Sequence, residues 1–414
     1  MKRAVTLLTM VACGILVSQG VRAELKSSDP FQFSVDLAAE YTDNRDSVPD
    51  DRTEETWDLL VRPRVDLLYH GERSLIDFYY MLAYRYRTDP SPIQNDNRLF
   101  HEVGFDSKFS ASPRMELRFW DRFNYTDDPS VDDGGRTVRG DLSYILNRVE
   151  AGLIRRITRR SNLDFFVRNS MKRYDEEAAA DSSDEDRTDA GIALWNQISR
   201  TLSLETRAMY SLFGYDDQFG LNRDFTAAFL GLGLEKMFNP QFRGGIKGGV
   251  NSVEYDDEGL DSQIIPYGEL WVKGYTVPST RLHASLAHSL RDADAYPFAS
   301  QEYSEFRAGI EWDMTPRLTI DLEGVYRNAE YDADSLPTTF LDRLAMDPAL
   351  AAFVTALEIQ PDGDETTIEA EGGLTFHLTD KSDLRISQRY EDVDSDVGFS
   401  YEKNTTLLTL SKRF

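Results

Sequence analysis

Apolar residues recur at every second position from residue 31 onward, in runs of about ten to fifteen residues. This spacing is typical of β-strands with one apolar and one polar face, and it differs from the spacing of a helix. In one such run Trp57 and Leu59 share a face, whereas Arg62 lies on the opposite face. The pattern therefore predicts amphipathic strands along the chain.

Short and long connections alternate between the predicted strands. The short ones carry Pro, Gly, Asn or Ser, which suit tight turns. Eight short turns and nine long loops indicate about eighteen strands, with sixteen as the alternative. They place both termini of the barrel on the side of the short turns. The long loops are acidic and cover residues 43–55, 87–97, 126–137, 175–187, 216–224, 256–262, 291–302, 332–365 and 391–401.

This arrangement is typical of an outer-membrane barrel, which has an even strand number, short periplasmic turns and longer external loops. We therefore predict an all-β fold, an antiparallel transmembrane barrel formed by residues 24–414. The alternative is a soluble secreted β-sandwich. A sandwich of this length normally divides into domains joined by linkers, and no change in composition marks a linker.

The first 23 residues have the three parts of a secretory signal peptide. Met1-Lys2-Arg3 is basic, residues 4–17 are apolar, and Ala23 is a small residue before the predicted cleavage site. A lipoprotein cleaved before Cys13 is the alternative, although the apolar run continues beyond that residue. Cleavage after Ala23 removes the only cysteine, so we expect no disulfide and no thiolate metal site in the mature chain.

The composition disfavours other classes of protein. The chain has 414 residues, of which 12% are aromatic and 29% charged, with a net charge of −26. Disordered chains are poor in aromatic residues, helical membrane proteins need runs of about 20 apolar residues, and nucleic-acid binders need clustered Lys and Arg. The nine loops together are more acidic than the whole chain, so the sequence predicts slightly basic walls beneath an acidic crown.

A tyrosine precedes the acidic residues at eight of the nine loop entries. An amphipathic ring at the level of the lipid head groups is expected of such a barrel. The sequence therefore predicts an outward-facing girdle at the external rim, formed by Tyr41, Tyr86, Tyr125, Tyr174, Tyr215, Tyr255, Tyr331 and Tyr390.

Three short motifs resemble a known family. They are Tyr41-Thr42-Asp43-Asn44, the segment VRPRVDL at residues 61–67, and the turn at Gly71. Together they look like the β-barrel porin family that is often associated with exopolysaccharide gene clusters. The resemblance implies an outer-membrane barrel without catalytic residues. The last strand ends in Phe414, which resembles the signal that barrel-assembly machinery reads.

The polar strand faces predict the lining of the lumen. Opposed ladders of both charges would create a transverse field that orients polar or anionic solutes. The alternative is a generic lumen whose charges only satisfy one another. The predicted lining residues are Arg62, Arg64, Arg118, Arg122, Arg168, Arg207, Arg307, Arg327, Arg385, Arg389, Glu116, Glu311 and Glu323.

The loop at 332–365 departs from the repeat. Asp347-Pro348 predicts the start of a helix, and Leu350, Phe353 and Leu357 follow at helical spacing. One hypothesis is that this segment folds into the mouth and constricts the pore. The other is a lid that stays outside.

Candidate chemistry elsewhere is sparse. Asp392, Asp394 and Asp396 alternate as in a calcium loop, but the glycine comes one place late and the final Glu is missing, which makes them a weak metal candidate. No cofactor is expected, and the chain lacks a G-x-S-x-G motif, so a hydrolase is the least favoured function.

The favoured function is a porin-like outer-membrane channel for passive passage of polar solutes or export of an exopolysaccharide. A structural or adhesive surface barrel with a closed lumen is the alternative. The expected partners are outer-membrane lipid, the barrel-assembly machinery and polysaccharide export proteins, but no nucleic acid.

Overall fold

Eighteen strands form a single sheet in the computed structural model of the chain. The structure describes residues 30–414 except 46, 50–52, 90–96, 128–142, 176–183, 217–220, 278, 294–295, 357–359, 361 and 399. The predicted signal peptide and Cys13 therefore lie outside the described residues.

In the ranges that the structure describes, the strands follow one another along the chain, with helices between β15 and β16. Their bounds are β1 Phe31–Thr42, β2 Thr56–His70, β3 Ser74–Arg87, β4 Asn97–Ser112, β5 Met115–Thr126, β6 Tyr144–Arg156, β7 Ser161–Tyr174, β8 Glu185–Gln197, β9 Leu202–Tyr215, β10 Phe225–Asn239, β11 Phe242–Tyr255, β12 Gln263–Val277, β13 Thr280–Asp292, β14 Ser300–Thr315, β15 Leu318–Tyr331, β16 Gly363–Thr379, β17 Ser382–Ser395 and β18 Tyr401–Arg413.

Each strand pairs antiparallel with its neighbours in sequence, and β1 also pairs with β18, which closes the sheet into a barrel. Eighteen strands are thus confirmed, and the alternative of sixteen is wrong. Short turns and long loops alternate between the strands as predicted. Closure satisfies the backbone hydrogen bonds of every strand within the sheet, which a segment in hydrocarbon requires.

The outer face of the barrel is apolar. Leu230 and Leu232 on β10 are 59% and 60% exposed, as are comparable side chains on other strands. Their neighbours of opposite parity point into the lumen and are more enclosed, as Asp58 and Asp189 show. A transmembrane strand needs about 9–11 residues, and the strands here range from 12 in β1 to 17 in β16.

A row of polar residues interrupts the outer face from β5 to β7. Asp121 on β5 has the same parity as Phe119 and Phe123, which flank it on the lipid side. Its Oδ1 accepts a hydrogen bond of 2.7 Å from Asn147 Nδ2 on the adjacent β6. Asn169 follows on the outer face of β7. This polar row lies within the apolar band, where uncompensated charge is costly.

The last residue takes part in closing the barrel. The backbone N–H of Phe414 donates to Phe33 O at 2.9 Å, and the two rings are 5.6 Å apart between centroids. The terminal aromatic side chain thereby spans the seam between the first and last strands.

The loop between β15 and β16 contains two short helices. After a 3-10 turn at Ala333–Ser335, α1 covers Phe340–Met346 and α2 covers Pro348–Ala356. Asp347 precedes α2, and its Oδ1 is 3.4 Å from Leu350 N. No helix among the described residues is long and apolar enough to cross a membrane.

The prediction that all eight tyrosines form an outward-facing girdle is wrong for half of them. Four of the tyrosines have outward parity, but the other four point into the barrel, because the Tyr-Asp pair marks the end of a strand without setting which face the tyrosine occupies. Tyr255 and Tyr331, which point inward, are only 6% and 1% exposed. The outward set is Tyr41, Tyr86, Tyr125 and Tyr390, and the inward set is Tyr174, Tyr215, Tyr255 and Tyr331.

Candidate channel lining

All of the predicted lining residues have lumen parity in the barrel. On the described part of the chain, Arg62 and Glu116 make no ion pair, and Arg62 Nε is buried without a hydrogen-bond partner. The others each form at least one ion pair with a carboxylate or an arginine of the lumen: Arg64, Arg118, Arg122, Arg168, Arg207, Arg307, Arg327, Arg385, Arg389, Glu311 and Glu323.

Between β2 and β5 the arginines pack on an aromatic ring. The guanidinium carbon of Arg64 lies 4.0 Å from the centre of the Tyr79 ring, and that of Arg122 lies at 5.7 Å. Tyr79 donates a hydrogen bond of 2.5 Å to Glu102. Such stacking orients each guanidinium and leaves its edge for hydrogen bonds.

A buried ion network that the sequence did not reveal lies at the external end of β2 and β3. Arg87 is 2.6 Å from Asp127 and 3.4 Å from Asp58. Arg85 reaches the same two carboxylates at 3.2 and 3.5 Å. The side chains of Arg87, Asp58 and Asp127 are almost fully buried, so this network fixes the rim rather than facing passing solutes.

The wall formed by β7 to β9 presents positive charge to the lumen. Arg168 is 42% exposed, whereas its partner Glu150, at 2.7 Å, is 7% exposed. Arg207 is 39% exposed and Glu205, at 2.8 Å, is 4% exposed. The guanidinium groups therefore project over carboxylates that lie against the backbone.

The wall formed by β13 to β17 exposes carboxylates as well as arginines. Glu323 is 43% and Arg307 40% exposed, with 2.8 Å between them, and Glu371 is 45% and Arg385 33% exposed, with 3.1 Å between them. Glu311 is likewise more exposed than its partner on β13. Carboxylate oxygens thus reach the lumen on this side.

The two walls face each other. In the ring of eighteen strands, β8 is nine strands from β17 in either direction. β7, which carries Arg168, is likewise opposite β16, which carries Glu371, whereas β17 carries Arg385 and Arg389. The exposed carboxylate of Glu371 would contribute to a transverse field across the lumen.

External loops pack onto the inner face at the mouth. The mouth cluster contains loop residues of β13–β14, both helices and the top of β15. Its buried members are Leu221, Ala293, Tyr296, Phe298, Ala329, Tyr331, Leu336, Phe340, Leu350 and Val397.

The described residues 293 and 296–299, here called the loop at 293–299, are held by the inward tyrosines. Tyr215 donates a hydrogen bond of 2.8 Å to Ala299 O, and the Tyr255 hydroxyl is 2.7 Å from Ser300 Oγ. Ala299 N also donates to Ser335 O at 3.0 Å, which joins this loop to the helical loop. Sequence reasoning missed this role, although residues 296–299 are an apolar stretch in an otherwise acidic loop.

The helical loop is also tethered to the β11–β12 loop. Asp257 accepts hydrogen bonds of 2.9 Å from both the backbone N–H and the hydroxyl of Thr338. Burial acts to raise the pKa of Asp257, but the bonds from Gly259 and Thr338 outweigh it, so the pKa is lowered.

The three predicted constriction residues have different outcomes. Leu350 is fully buried in the mouth cluster, so its side chain anchors α2 and does not face a pore. Phe353 lies within α2, and Leu357 lies outside the described residues. Whether the segment narrows the pore stays a prediction.

The weak metal candidate gains no support. Asp394 accepts a hydrogen bond from Ser400 at 3.3 Å, and Asp396 lies 3.4 Å from Asp364 N. Across the described ranges, no group of three His, Cys, Asp or Glu side chains converges as a metal site would require. Asp392 therefore belongs to no such group.

A closed antiparallel barrel with an apolar exterior and a charged lumen has the fold of an outer-membrane porin-like channel. The profile of the family described as "Putative beta-barrel porin 2" matches residues 213–414, which confirms the expected resemblance over that part of the chain.

Three solved structures have a similar fold, and the third is described as an outer membrane protein. OccK2 (OpdF) of Pseudomonas aeruginosa, in complex with glucuronate, is 12% identical over 93% of this chain and 98% of its own, with a TM-score of 0.50. OccAB4 of Acinetobacter baumannii is 12% identical over 95% and 100%, at 0.48. OprD from Pseudomonas aeruginosa is 12% identical over 97% and 98%, at 0.47. A comparison with curated proteins found no match.

Proposed function

We propose that the protein is a passive channel for polar solutes across the outer membrane, and that its two facing walls orient charged solutes during passage. One observation carries this proposal. The carboxylates that pair with Arg168 and Arg207 are buried, whereas Glu323 on β15 and Glu371 on β16 are exposed to the lumen. A solute with separated charges would be turned by such a field.

Planar-bilayer recording of the purified barrel tests the proposal. A chloride ion about 5 Å from a guanidinium in water gains about 0.8 kcal/mol, or roughly a fourfold higher local concentration. Arg168→Gln is therefore expected to shift the reversal potential in a KCl gradient toward cation preference. Arg155→Gln, on the outer face of β6, is the matched control. Lack of conductance at every voltage would contradict the proposed channel function.

A structural or adhesive barrel with a closed lumen is the second candidate, and the mouth cluster favours it. Phe298, Phe340 and Leu350 are buried where loops cover the inner face of β15 and its neighbours. Conductance of the intact barrel separates the two functions, because a closed lumen passes no current at any voltage. In a variant that lacks residues 338–359, higher conductance supports a channel that this loop constricts, whereas unchanged conductance rules out a constriction by this loop.

Export of an exopolysaccharide is a more specific form of the channel proposal, and it rests on the family resemblance. Polysaccharide export proteins would then be partners at the periplasmic turns. Loss of surface polysaccharide in a deletion strain, restored by the intact gene, tests this role. The proposed partners in assembly are outer-membrane lipid and the barrel-assembly machinery, with Phe414 as the recognised end of β18.

A further inference from the structure

A groove crosses the outer face of the barrel from β11 to β17. Its volume is about 880 Å³, and most of the side chains that line it have outward parity. Its floor is a row of small residues, each paired with the next across the sheet: Ala284, Ala308, Gly324 and Ala370. Beyond its chain neighbours, a Cβ atom on Gly324 would meet only Glu369 O, at 3.9 Å. The space above the floor is therefore open to the membrane.

Large apolar side chains border the floor on both sides. Leu286, Phe306 and Tyr326 form the next row toward the external loops, and all three are exposed. Ile310 and Leu322 line the side toward the periplasmic turns. The floor spans β13 to β16, with strand spacings of about 4.8 Å. An elongated apolar groove of this kind fits an acyl chain, because in hydrocarbon close van der Waals packing against small residues stabilises a contact.

The groove lies at a depth that lipid of the periplasmic leaflet reaches. On β15, Leu322 and Gly324 follow Arg317 of the β14–β15 turn by five and seven residues. At about 3.3 Å per residue and a tilt of about 40°, they lie about 13–18 Å from the turn along the membrane normal. Half of the hydrocarbon core is about 15 Å. Trp312 is exposed on the outer face of β14 between the groove and the turn, where an interfacial aromatic residue is expected.

Two cations lie on neighbouring periplasmic turns below the groove. Arg317 belongs to the β14–β15 turn and Lys381 to the β16–β17 turn, and both side chains are exposed. His377 N on β16 donates a hydrogen bond of 2.9 Å to Arg317 O, which holds the two turns side by side. Within the described part of the chain, neither cationic side chain forms an ion pair or a hydrogen bond.

The head-group level below the groove is positively charged. Lys412 on the outer face of β18 is also exposed, and its Nζ is 3.2 Å from Ser382 Oγ. Asp380 is the one carboxylate of the two turns. Three cations near one carboxylate are complementary to an anion. A guanidinium can donate two hydrogen bonds to a phosphate group, and an ammonium binds it as a point charge.

We propose that one anionic glycerophospholipid of the periplasmic leaflet binds at this place. An acyl chain lies in the groove, and the phosphate group contacts Arg317, Lys381 and Lys412. The inference goes beyond the channel function and does not depend on it, because the site is on the outside of the barrel. No bond is made or broken.

Native mass spectrometry of the detergent-solubilised barrel tests the charged part of the site, with dioleoylphosphatidylglycerol as the probe. We expect one tightly held lipid, and at least tenfold weaker binding of dioleoylphosphatidylcholine, whose head group has no net charge. Each Lys or Arg near an anionic lipid strengthens association about fivefold. The double variant Arg317→Gln and Lys381→Gln should therefore weaken binding of phosphatidylglycerol at least tenfold.

A matched double variant is the control. Arg160→Gln and Arg200→Gln remove two exposed cations from the β6–β7 and β8–β9 turns, which lie side by side in the same way because Gln197 N donates to Arg160 O at 2.8 Å. These turns are not below the groove, so the control should bind phosphatidylglycerol as the unaltered protein does.

A bulkier side chain on the floor tests the apolar part of the site. Ala308→Leu should weaken binding of phosphatidylglycerol at least threefold, because leucine fills the space that the acyl chain occupies. Ala190→Leu makes the same change on the outer face of β8 and should not alter binding. A phosphatidylglycerol with a diazirine at the chain end should label the outer face of β13 to β16 in the unaltered protein.

Several outcomes would overturn the proposal. They are equal binding of the two lipids, unchanged binding in the double variant at Arg317 and Lys381, and labelling spread evenly around the outer face. A barrel dimer that Ala308→Leu abolishes would show that a second copy occupies the groove instead of a lipid. If a variant does not fold, as judged by heat-dependent gel mobility, the labelling of the unaltered protein still decides.

Discussion

Replacement of Phe298 by alanine should release the loop at 293–299 from the mouth. The side chain of Phe298 is fully buried, and its ring centroid is 5.2 Å from that of Tyr331 on the inner face of β15. Truncating a buried Phe to Ala typically costs about 3–5 kcal/mol. Because the loss falls on the packed loop while the sheet is retained, we expect the ratio of released to packed loop to rise at least about a hundredfold.

Limited proteolysis and single-channel recording together measure this change. Cleavage within the loop follows the population of the released form when release is fast relative to cleavage. It should therefore accelerate by about the same factor, and the current should become larger or noisier. Phe306→Ala on the outer face of β14, where the side chain is 47% exposed, should change neither quantity.

The two readouts separate the steps of the reasoning. Unchanged cleavage in Phe298→Ala would refute the claim that this packing holds the loop in place. Faster cleavage with unchanged current would refute the claim that the loop stands in the ion path.

Three further predictions concern other parts of the molecule. Asp257→Asn should loosen the helical loop, because Thr338 loses its charged acceptor. In the unaltered protein acidification should do the same: burial acts to raise the pKa of Asp257 but the hydrogen bonds outweigh it, so the tether contributes above about pH 4 and is lost as pH falls through the lowered pKa. The protection factor of the Thr338 amide, which is the exchange rate corrected for its intrinsic pH dependence, measures the change, and a protection factor that is independent of pH below about 4 would contradict it. Asp121→Asn keeps the bond to Asn147 but removes a charge from the lipid face, so the free energy of unfolding should rise by about 1 kcal/mol. Urea unfolding in vesicles measures it as a higher midpoint, and a lower midpoint would be inconsistent with a lipid-facing carboxylate. Phe414→Ala should lower the yield of folded barrel, whereas Phe414→Tyr keeps the ring and should retain the yield. Heat-dependent gel mobility measures the folded fraction, and equal yields for the alanine variant and the unaltered protein would show that the ring does not contribute to closure.

The strand number and the lumen face could be predicted because both depend on local patterns. Alternation along a run such as Trp57 to His70 sets which side chains share a face, and turn residues mark where a strand ends. Arg168 and Glu323 were therefore assigned to the lumen without knowledge of their partners.

Features that depend on distant segments could not be predicted. Arg118 pairs with Asp164, which lies 46 positions further along the chain, and no periodicity reveals which carboxylate an arginine meets. The prediction of Tyr331 on the outer face is wrong, because a Tyr-Asp pair does not indicate which face of the strand the tyrosine occupies.

The seam between β1 and β18 makes the folding of this barrel depend on the completed chain. Ser34 pairs with Arg413, so the first and last strands meet only when nearly every residue has been synthesised. Bringing such distant segments together costs about 5 kcal/mol of chain entropy. A chain truncated before Tyr401 would leave two open sheet edges, which favour aggregation. An incomplete copy would therefore expose adhesive edges instead of forming a smaller pore.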